Sequence, residues 1–412
     1  MSKLKLTPAE RSWILYDVGN SAFTLLVATI IPIYFNFLAE QAGLSNVQYL
    51  AYWGYAASAA TLLVAVLGPV FGALADTQGY KKPIFLLFLG VGLLGCVGLG
   101  FVRHWLWFLG IFVIARVGYS GSLIFYDSML SDITEADRMD HVSSQGYAWG
   151  YIGSCIPFTV CLLLVLGAEG LGLSMVTAMA LAFGITALWW MGFTLPLLRR
   201  YEQRHFVERR PHAIRESFAR LGRTLARARQ EKKIFLFLLA FFFYIDGVYT
   251  IIDMATAYGE ALGLDSAGLL LALLVTQIVA FPSAILFGRL ARRFSGEQLI
   301  PLCIAAYFGI AIYAMFLRTQ GQFWVLAVLV GLFQGGIQAL SRSYFARIIP
   351  ANQSGEYFGL LDICGKGASF MGTTVVSVVS QLTGNISLGV GMIALLFLVG
   401  LILFRKAAKL PA

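Results

Sequence analysis

The sequence predicts an all-α integral membrane protein with twelve transmembrane helices in two pseudo-symmetric six-helix bundles. Of its 412 residues, 59% are hydrophobic and 12% are charged, whereas soluble domains carry about 25% charged residues. A soluble fold of this length could not bury so much apolar surface, so lipid must cover it. A helix that crosses a bilayer needs about 20 mostly apolar residues. Runs of that kind, short loops and one longer central loop account for the whole chain.

An even number of spans places both termini on the same side of the membrane. Lys and Arg are concentrated in the loops on that side, and cytoplasmic loops carry an excess of these residues. We therefore expect both termini in the cytoplasm. The predicted spans are residues 12–38, 48–75, 83–102, 105–131, 142–167, 172–197, 233–261, 266–293, 298–317, 322–348, 354–382 and 386–406.

The central loop, residues 198–232, separates a predicted N-terminal bundle, residues 1–197, from a C-terminal bundle, residues 233–412. This loop carries most of the chain's +9 net charge. After its proline, apolar residues recur at helical spacing with Arg on the other faces, which predicts an amphipathic helix on the cytoplasmic leaflet. A solvated basic linker is the alternative. The apolar residues are Ile214, Phe218, Leu221 and Leu225.

The two halves show internal similarity. Residues 121–133 align with residues 336–348 at a constant offset of 215, and both acids of the first segment, Asp127 and Asp132, correspond to Arg in the second. This pattern indicates a duplicated six-helix unit.

Several polar residues fall deep inside the predicted spans. An ionisable group at the bilayer centre costs about 2.5–3.5 kcal/mol, so it usually faces a cavity and has a function. Neither Asp17 nor Asp246 has an obvious cation on its own helix, which makes both candidates for proton coupling. A guanidinium in span 4 could bind a solute carboxylate while one of these acids receives the amine. The candidate substrate-binding residues are Asp17, Asn20, Arg116, Asp246, Gln334 and Gln338.

Asp362 and Lys366 lie one helical turn apart in span 11. This spacing predicts an intramembrane ion pair that holds helices together.

Enzyme function is not indicated. The five Cys and four His show no metal-type spacing, and no nucleophile lies near a general base. The basic pI follows from the orientation rule for membrane proteins rather than from nucleic-acid binding. We expect no metal and no cofactor, and we expect a monomer whose partners are a small solute, the lipid bilayer and, with coupling, protons.

The segment between spans 2 and 3 reads Gly72-Ala-Leu-Ala-Asp76-Thr-Gln-Gly79-Tyr-Lys81-Lys82-Pro83. It resembles the signature loop of the major facilitator superfamily. The resemblance implies a gate made by Gly72, Asp76, Gly79 and Lys81, with Asp76 close to the positive N-terminal end of span 11. Thr77 stands where many such loops have Arg, and the second-half copy has Arg292 in place of the acid.

Four dispersed segments, residues 13–23, 142–153, 244–248 and 356–366, resemble the vacuole-effluxer-like branch of that superfamily, the autophagy-related permeases and their bacterial relatives. The resemblance implies an alternating-access transporter in a bacterial inner membrane, with spans 1, 4, 7 and 10 lining the cavity. Amino-acid export is the activity associated with the fungal members. Transport of lipid-like compounds, drugs or siderophores stays open, as does a non-transporting receptor in a transporter fold.

Overall fold

A computed structural model describes residues 5–208 and 231–410. The predicted amphipathic helix of the central loop lies outside the described residues. Side chains are described throughout these ranges except at 46, 47, 50, 51, 253, 256, 257, 260, 261, 266, 267, 270 and 366–370.

The described chain is built from α-helices that cross the membrane in alternating directions. Eleven stretches are long and apolar enough to span a bilayer, and α13 supplies the remaining long helix. The helices of the N-terminal half are α1 (Pro8–Ala28), α2 (Ile30–Gln41), α3 (Asn46–Ala75), α4 (Lys81–Leu99), α5 (Trp105–Ser128), α6 (Leu130–Ile133), α7 (Met139–Leu166) and α8 (Met175–Arg200). Those of the C-terminal half are α9 (Lys232–Ala261), α10 (Ser266–Leu290), α11 (Gly296–Met315), α12 (Gln320–Ile348), α13 (Ser354–Thr383), α14 (Ile386–Gly391) and α15 (Ile393–Ala408).

The first predicted span is divided into two helices at Thr29, whose backbone is not helical (φ −134°, ψ −66°). Pro32 explains the break, because a proline lacks the N–H that would bond to residue 28 and its ring collides with that carbonyl. At its start, α1 has a capping box between Thr7 and Glu10 and a proline at the first helical position. It therefore begins at Pro8, four residues before the prediction.

One end of the bundle holds the start of α1 and the end of α15; we call it the terminal side. The described hydrogen bonds between the two halves join residues at or towards this end. Here α3 and α13 cross with glycines in contact: a Cβ on Gly359 would lie 2.8 Å from Pro69, and one on Gly355 would lie 2.7 Å from the Gly72 carbonyl oxygen. Glycines spaced four residues apart on both helices allow this close backbone approach. Close contact of the two halves therefore closes the bundle at the terminal side.

Candidate substrate site and gate

A buried arginine of the C-terminal half, Arg342 on α12, reaches into the N-terminal half. Its Nη1 donates to Asp127 at 3.0 Å, and its Nη2 lies 3.3 Å from Asp17. Its Nε donates to the Ser143 hydroxyl at 2.9 Å, and Nη2 also donates to the Ser143 carbonyl at 3.0 Å. Only 5% of the Arg342 side chain is exposed. One guanidinium thus joins α12 to α1, α5 and α7, using most of the donors it has.

Aromatic rings surround the same guanidinium. The Arg342 Cζ lies 4.6 Å from the ring centre of Trp13, 5.6 Å from Tyr126 and 4.2 Å from Tyr147. A cation within about 6 Å of a ring centre is attracted by the negative face of the π system. Trp13 is held in place by its own N–H, which donates to the Tyr126 carbonyl at 3.0 Å.

Asp17 has a cationic partner that comes from another helix. This acid has no cation on its own helix, but it is paired with Arg342 from the opposite half. Asn20, one turn along α1, also donates to Asp17 at 3.3 Å. The two α1 candidates therefore lie together, in a cluster whose cation is Arg342 and not the predicted Arg116. Arg116 is half-buried on α5.

Two glutamines on α12 have separate surroundings. Gln338 accepts a hydrogen bond from the Tyr151 hydroxyl of α7 at 2.8 Å, which is another contact between the halves. Gln334 is buried, and its Oε1 has no hydrogen-bond partner among the described residues. A buried acceptor without a donor loses the free energy of a hydrogen bond to water, so Gln334 is available to a solute.

Asp246 lies on α9, fully buried, and its described hydrogen bonds go to α9 and α13 rather than to α1. Its Oδ1 accepts from the Gly372 N–H at 3.0 Å and from the Thr250 hydroxyl at 3.3 Å. Its Oδ2 has no hydrogen-bond partner in the described part of the chain. A Cβ on Gly372 would lie 2.7 Å from the Asp246 carboxylate, so only glycine permits this approach. Asp246 thus forms a site distinct from the Arg342 cluster.

Asp76, one of the predicted gate residues, lies at the start of α13, where the loop resemblance places it. Asp76 is fully buried and accepts from the Gly355 N–H at 2.8 Å and from the Glu356 N–H at 2.9 Å. These are donors of the first turn of α13, where free N–H groups and the helix dipole favour an anion. Burial nevertheless raises the pKa of Asp76 to about 6, against the opposing effects of Lys81 and the two backbone donors.

Lys81, also fully buried, connects the gate to two further elements. Its Nζ lies 3.7 Å from Asp76 and 3.4 Å from Asp132, and it donates to the Ser354 hydroxyl of α13 at 2.9 Å. Gly79 has φ +77°, a conformation that L side chains rarely adopt, and it forms the turn that brings Lys81 back towards α3.

The beginning of the central loop packs on the gate. Val207 N–H donates to the Asp76 carbonyl at 2.8 Å, and Gln78 N–H donates to the Val207 carbonyl at 3.1 Å. Tyr201 donates to Asp132 at 2.6 Å, and burial next to that carboxylate raises the pKa of the tyrosine. The segment between α3 and α4 is therefore held from the loop side as well as from α13.

A second ion pair joins the halves on the terminal side. Arg347 on α12 donates to Asp140 on α7 at 2.6 Å, and the Ser343 hydroxyl donates to the other Asp140 oxygen. The predicted Asp362–Lys366 ion pair falls partly outside the described residues, since the Lys366 side chain is not among them.

Sequence reasoning did not select Arg342, Asp127 or Ser143 as site residues. The signal was present in the internal repeat, where Asp127 and Arg342 occupy equivalent positions. In the folded chain these two residues form a salt bridge with each other. The second exchange of the repeat, between Asp132 and Arg347, does not give such a pair, because Asp132 lies next to Lys81 and Arg347 binds Asp140.

The chain matches the family model described as "Vacuole effluxer Atg22 like" over residues 8–139 and 131–408. It is 44% identical over 404 residues to the uncharacterized MFS-type transporter YxiO of Bacillus subtilis (strain 168), covering 97% of this chain and 94% of that protein. It is 29% identical over 286 residues to autophagy-related protein 22 of Cryptococcus neoformans var. neoformans serotype D (strain B-3501A), covering 64% of this chain. The match spans about half, 51%, of that fungal protein.

The fold is also that of solved transporters. The crystal structure of the human organic anion transporter MFSD10 (TETRAN) superposes with a TM-score of 0.74 over 96% of this chain and 98% of that one, at 16% sequence identity. At this level of identity the likeness concerns the fold alone.

Proposed function

The chain belongs to the vacuole effluxer Atg22-like family of major facilitator membrane transporters, and on that premise we propose that it exports amino acids or similar zwitterionic metabolites by alternating access. We also propose proton coupling and a bacterial inner membrane with both termini in the cytoplasm. The observation that supports this proposal most directly is the Arg342 cluster, where a buried cation from one half is bound by two acids of the other half.

This arrangement suits a transporter because its inter-half contacts can be broken. At the terminal side the halves are joined by hydrogen bonds and ion pairs of Arg342, Arg347 and Asp76. Separation at that end would hydrate these groups, which lowers the free energy needed to part them. With the terminal side in the cytoplasm, the described state is closed to the cytoplasm, and its opening exposes the deep residues to that compartment.

The chemistry of the site supports a zwitterion. The candidate residues include both acids and a guanidinium, so a carboxylate and an ammonium of one small solute would each find an opposite charge among them. Arg116, half-buried on α5, is the proposed partner of the solute carboxylate. Asp246, with one carboxylate oxygen lacking a described donor, is the proposed proton carrier.

Flux of labelled amino acids in proteoliposomes tests this function. We expect flux with the wild type, loss of flux with Arg116→Ala and Asp246→Ala, and unchanged flux with Arg103→Ala, an exposed arginine outside the site. Equal flux in all four proteins would contradict the site assignment. If no amino acid moves and only lipid-like compounds do, the solute class is wrong. Binding without flux of any solute would indicate a receptor.

A further inference from the structure

Among the described residues, the groups that bind Arg342 belong to the N-terminal half, and together they can bind a cation. They come from three helices and comprise two carboxylates, a hydroxyl, a carbonyl and three ring faces. We call this set the cation box: Trp13, Asp17, Tyr126, Asp127, Ser143 and Tyr147.

We propose that the cation box is a binding site for an ammonium or guanidinium group of the transported solute, and that Arg342 occupies this site while the terminal side is closed. The inference rests on the proposed transport function and identifies the part of the solute that the N-terminal half recognises. It assigns to Arg342 the role of a tethered competitor of that group.

The need for a replacement cation follows from the charges. The salt bridges described for Asp17 and Asp127 are both with Arg342, which is carried by the half that must move away. Opening of the terminal side withdraws the guanidinium and leaves two neighbouring carboxylates facing the cavity. Two like charges that face the same cavity repel each other and favour the entry of a positive group.

The aromatic rings determine which cation fits. A small metal ion prefers a shell of oxygen ligands, whereas ring faces at 4.2–5.6 Å from the guanidinium carbon attract organic cations. Gly146 makes room for the group, since a Cβ there would lie 3.1 Å from Arg342 Nη2 and would also crowd the Asp17 carboxylate. The box therefore fits a planar or compact organic cation of the size of guanidinium.

Competition has a consequence for the conformational equilibrium. A solute cation in the box excludes Arg342, so it binds the open state and not the closed one. A ligand shifts an equilibrium by its difference in affinity for the two states. Solute binding should therefore favour opening at the terminal side.

Binding of methylguanidinium to purified protein tests the proposal, with methylurea as a neutral ligand of the same shape. We expect Arg342→Ala to bind methylguanidinium at least tenfold more tightly than the wild type, and to bind methylurea no better than the wild type does. Arg347→Ala is the matched control, because it removes an inter-half arginine but leaves the box occupied; it should gain much less affinity. Adding Asp127→Asn to Arg342→Ala should abolish the gain.

Three results would overturn the proposal: no gain in folded Arg342→Ala, a gain that survives Asp127→Asn, or equal binding of methylurea. If Arg342→Ala does not fold, the wild type is compared with Gly72→Ala, which keeps Arg342 but loosens the closed end. That variant should bind methylguanidinium at least fivefold more tightly than the wild type, and an unchanged affinity would count against the box. Amino-acid flux without cation binding would contradict this inference alone, whereas cation binding without flux would contradict only the proposed function.

Discussion

Replacing Gly72 by Ala should open the terminal side. A Cβ at this position would lie 2.8 Å from the carbonyl carbon of Gly355 and closer still to its oxygen, so α3 and α13 must move apart by a few tenths of an ångström or more. Both contact partners are backbone atoms and cannot rotate away. Overpacking of this kind costs about 1–3 kcal/mol, and the cost falls only on the closed state, where the two helices touch.

A penalty of about 1–3 kcal/mol on the closed state changes the ratio of open to closed protein by about 5- to 150-fold. Separation also lengthens the hydrogen bonds from Gly355 and Glu356 to Asp76, which adds to the effect. The gain in helix propensity from Gly to Ala, up to about 1 kcal/mol, affects both states equally because α3 is helical in each.

Cysteine accessibility measures the change. Ser144 is fully buried at the contact of α7 with α10, and its hydroxyl has no hydrogen-bond partner among the described residues. Ser144→Cys in a background without the five native cysteines should therefore report opening without disturbing a bond. We expect maleimide to label it at least fivefold faster when Gly72→Ala is added.

Gly90→Ala is the matched control, since a Cβ at Gly90 would meet nothing within 4 Å. It should leave the labelling rate unchanged. Equal rates for Gly72→Ala and Gly90→Ala would refute the claim that the α3–α13 contact holds the terminal side closed.

Three further outcomes follow from the buried acids. Burial raises the pKa of Asp76 to about 6, and hydration on opening should return it towards about 3.9. The closed state therefore binds the proton more tightly than the open state. Acidification from pH 7.5 to 5 should favour closure by about 1.4 kcal/mol, a tenfold change in the ratio of closed to open protein. Because maleimide reacts with the thiolate, the labelling rate at Ser144→Cys is divided at each pH by that of an exposed cysteine. This ratio should fall about tenfold on acidification, and a fall that persists in Asp76→Asn would assign the response to another group. Gly372→Ala should destabilise the fold by about 1–3 kcal/mol, because the added Cβ collides with Thr250 and Asp246. Gly365→Ala should not, because the nearest neighbour of its Cβ would be at 3.5 Å. Equal unfolding temperatures for the two variants would contradict this packing. Flux that keeps its full dependence on a pH gradient in both Asp246→Asn and Asp17→Asn would exclude coupling through either acid.

Much of the fold followed from the sequence because its determinants are local. Apolar runs of bilayer length fix the spans, and capping residues such as Thr7 and Glu10 fix where helices begin. The break at Thr29 was readable from Pro32 but was not predicted. The position of Asp76 next to the start of α13 was predicted from the loop motif, because the resemblance to the signature loop also implies the helix end that the acid contacts.

The composition of the site was less predictable, because it depends on which helices meet across the two halves. Depth in a span identifies Asp17 as costly to bury. Depth alone cannot show that Arg342, 325 residues away in sequence, forms the ion pair that stabilises the buried carboxylate. For the same reason Arg116, and not Arg342, was selected as the candidate arginine. Arg342 lies towards the terminal end of its helix and becomes central only once α12 packs against α7.

The central claim, that transport requires the terminal side to open, is tested most directly by a reversible cross-link. A Cβ at Gly288 would lie 2.7 Å from the Ser144 Cβ, so α7 and α10 need to part by only about 1 Å to reach the separation of about 3.8 Å found in disulfides. Ser144→Cys with Gly288→Cys, oxidised in proteoliposomes, should therefore join the halves. We expect amino-acid flux to stop on oxidation and to return on reduction, whereas flux through each single-cysteine variant should be the same before and after oxidation. Undiminished flux through fully cross-linked protein would contradict the account.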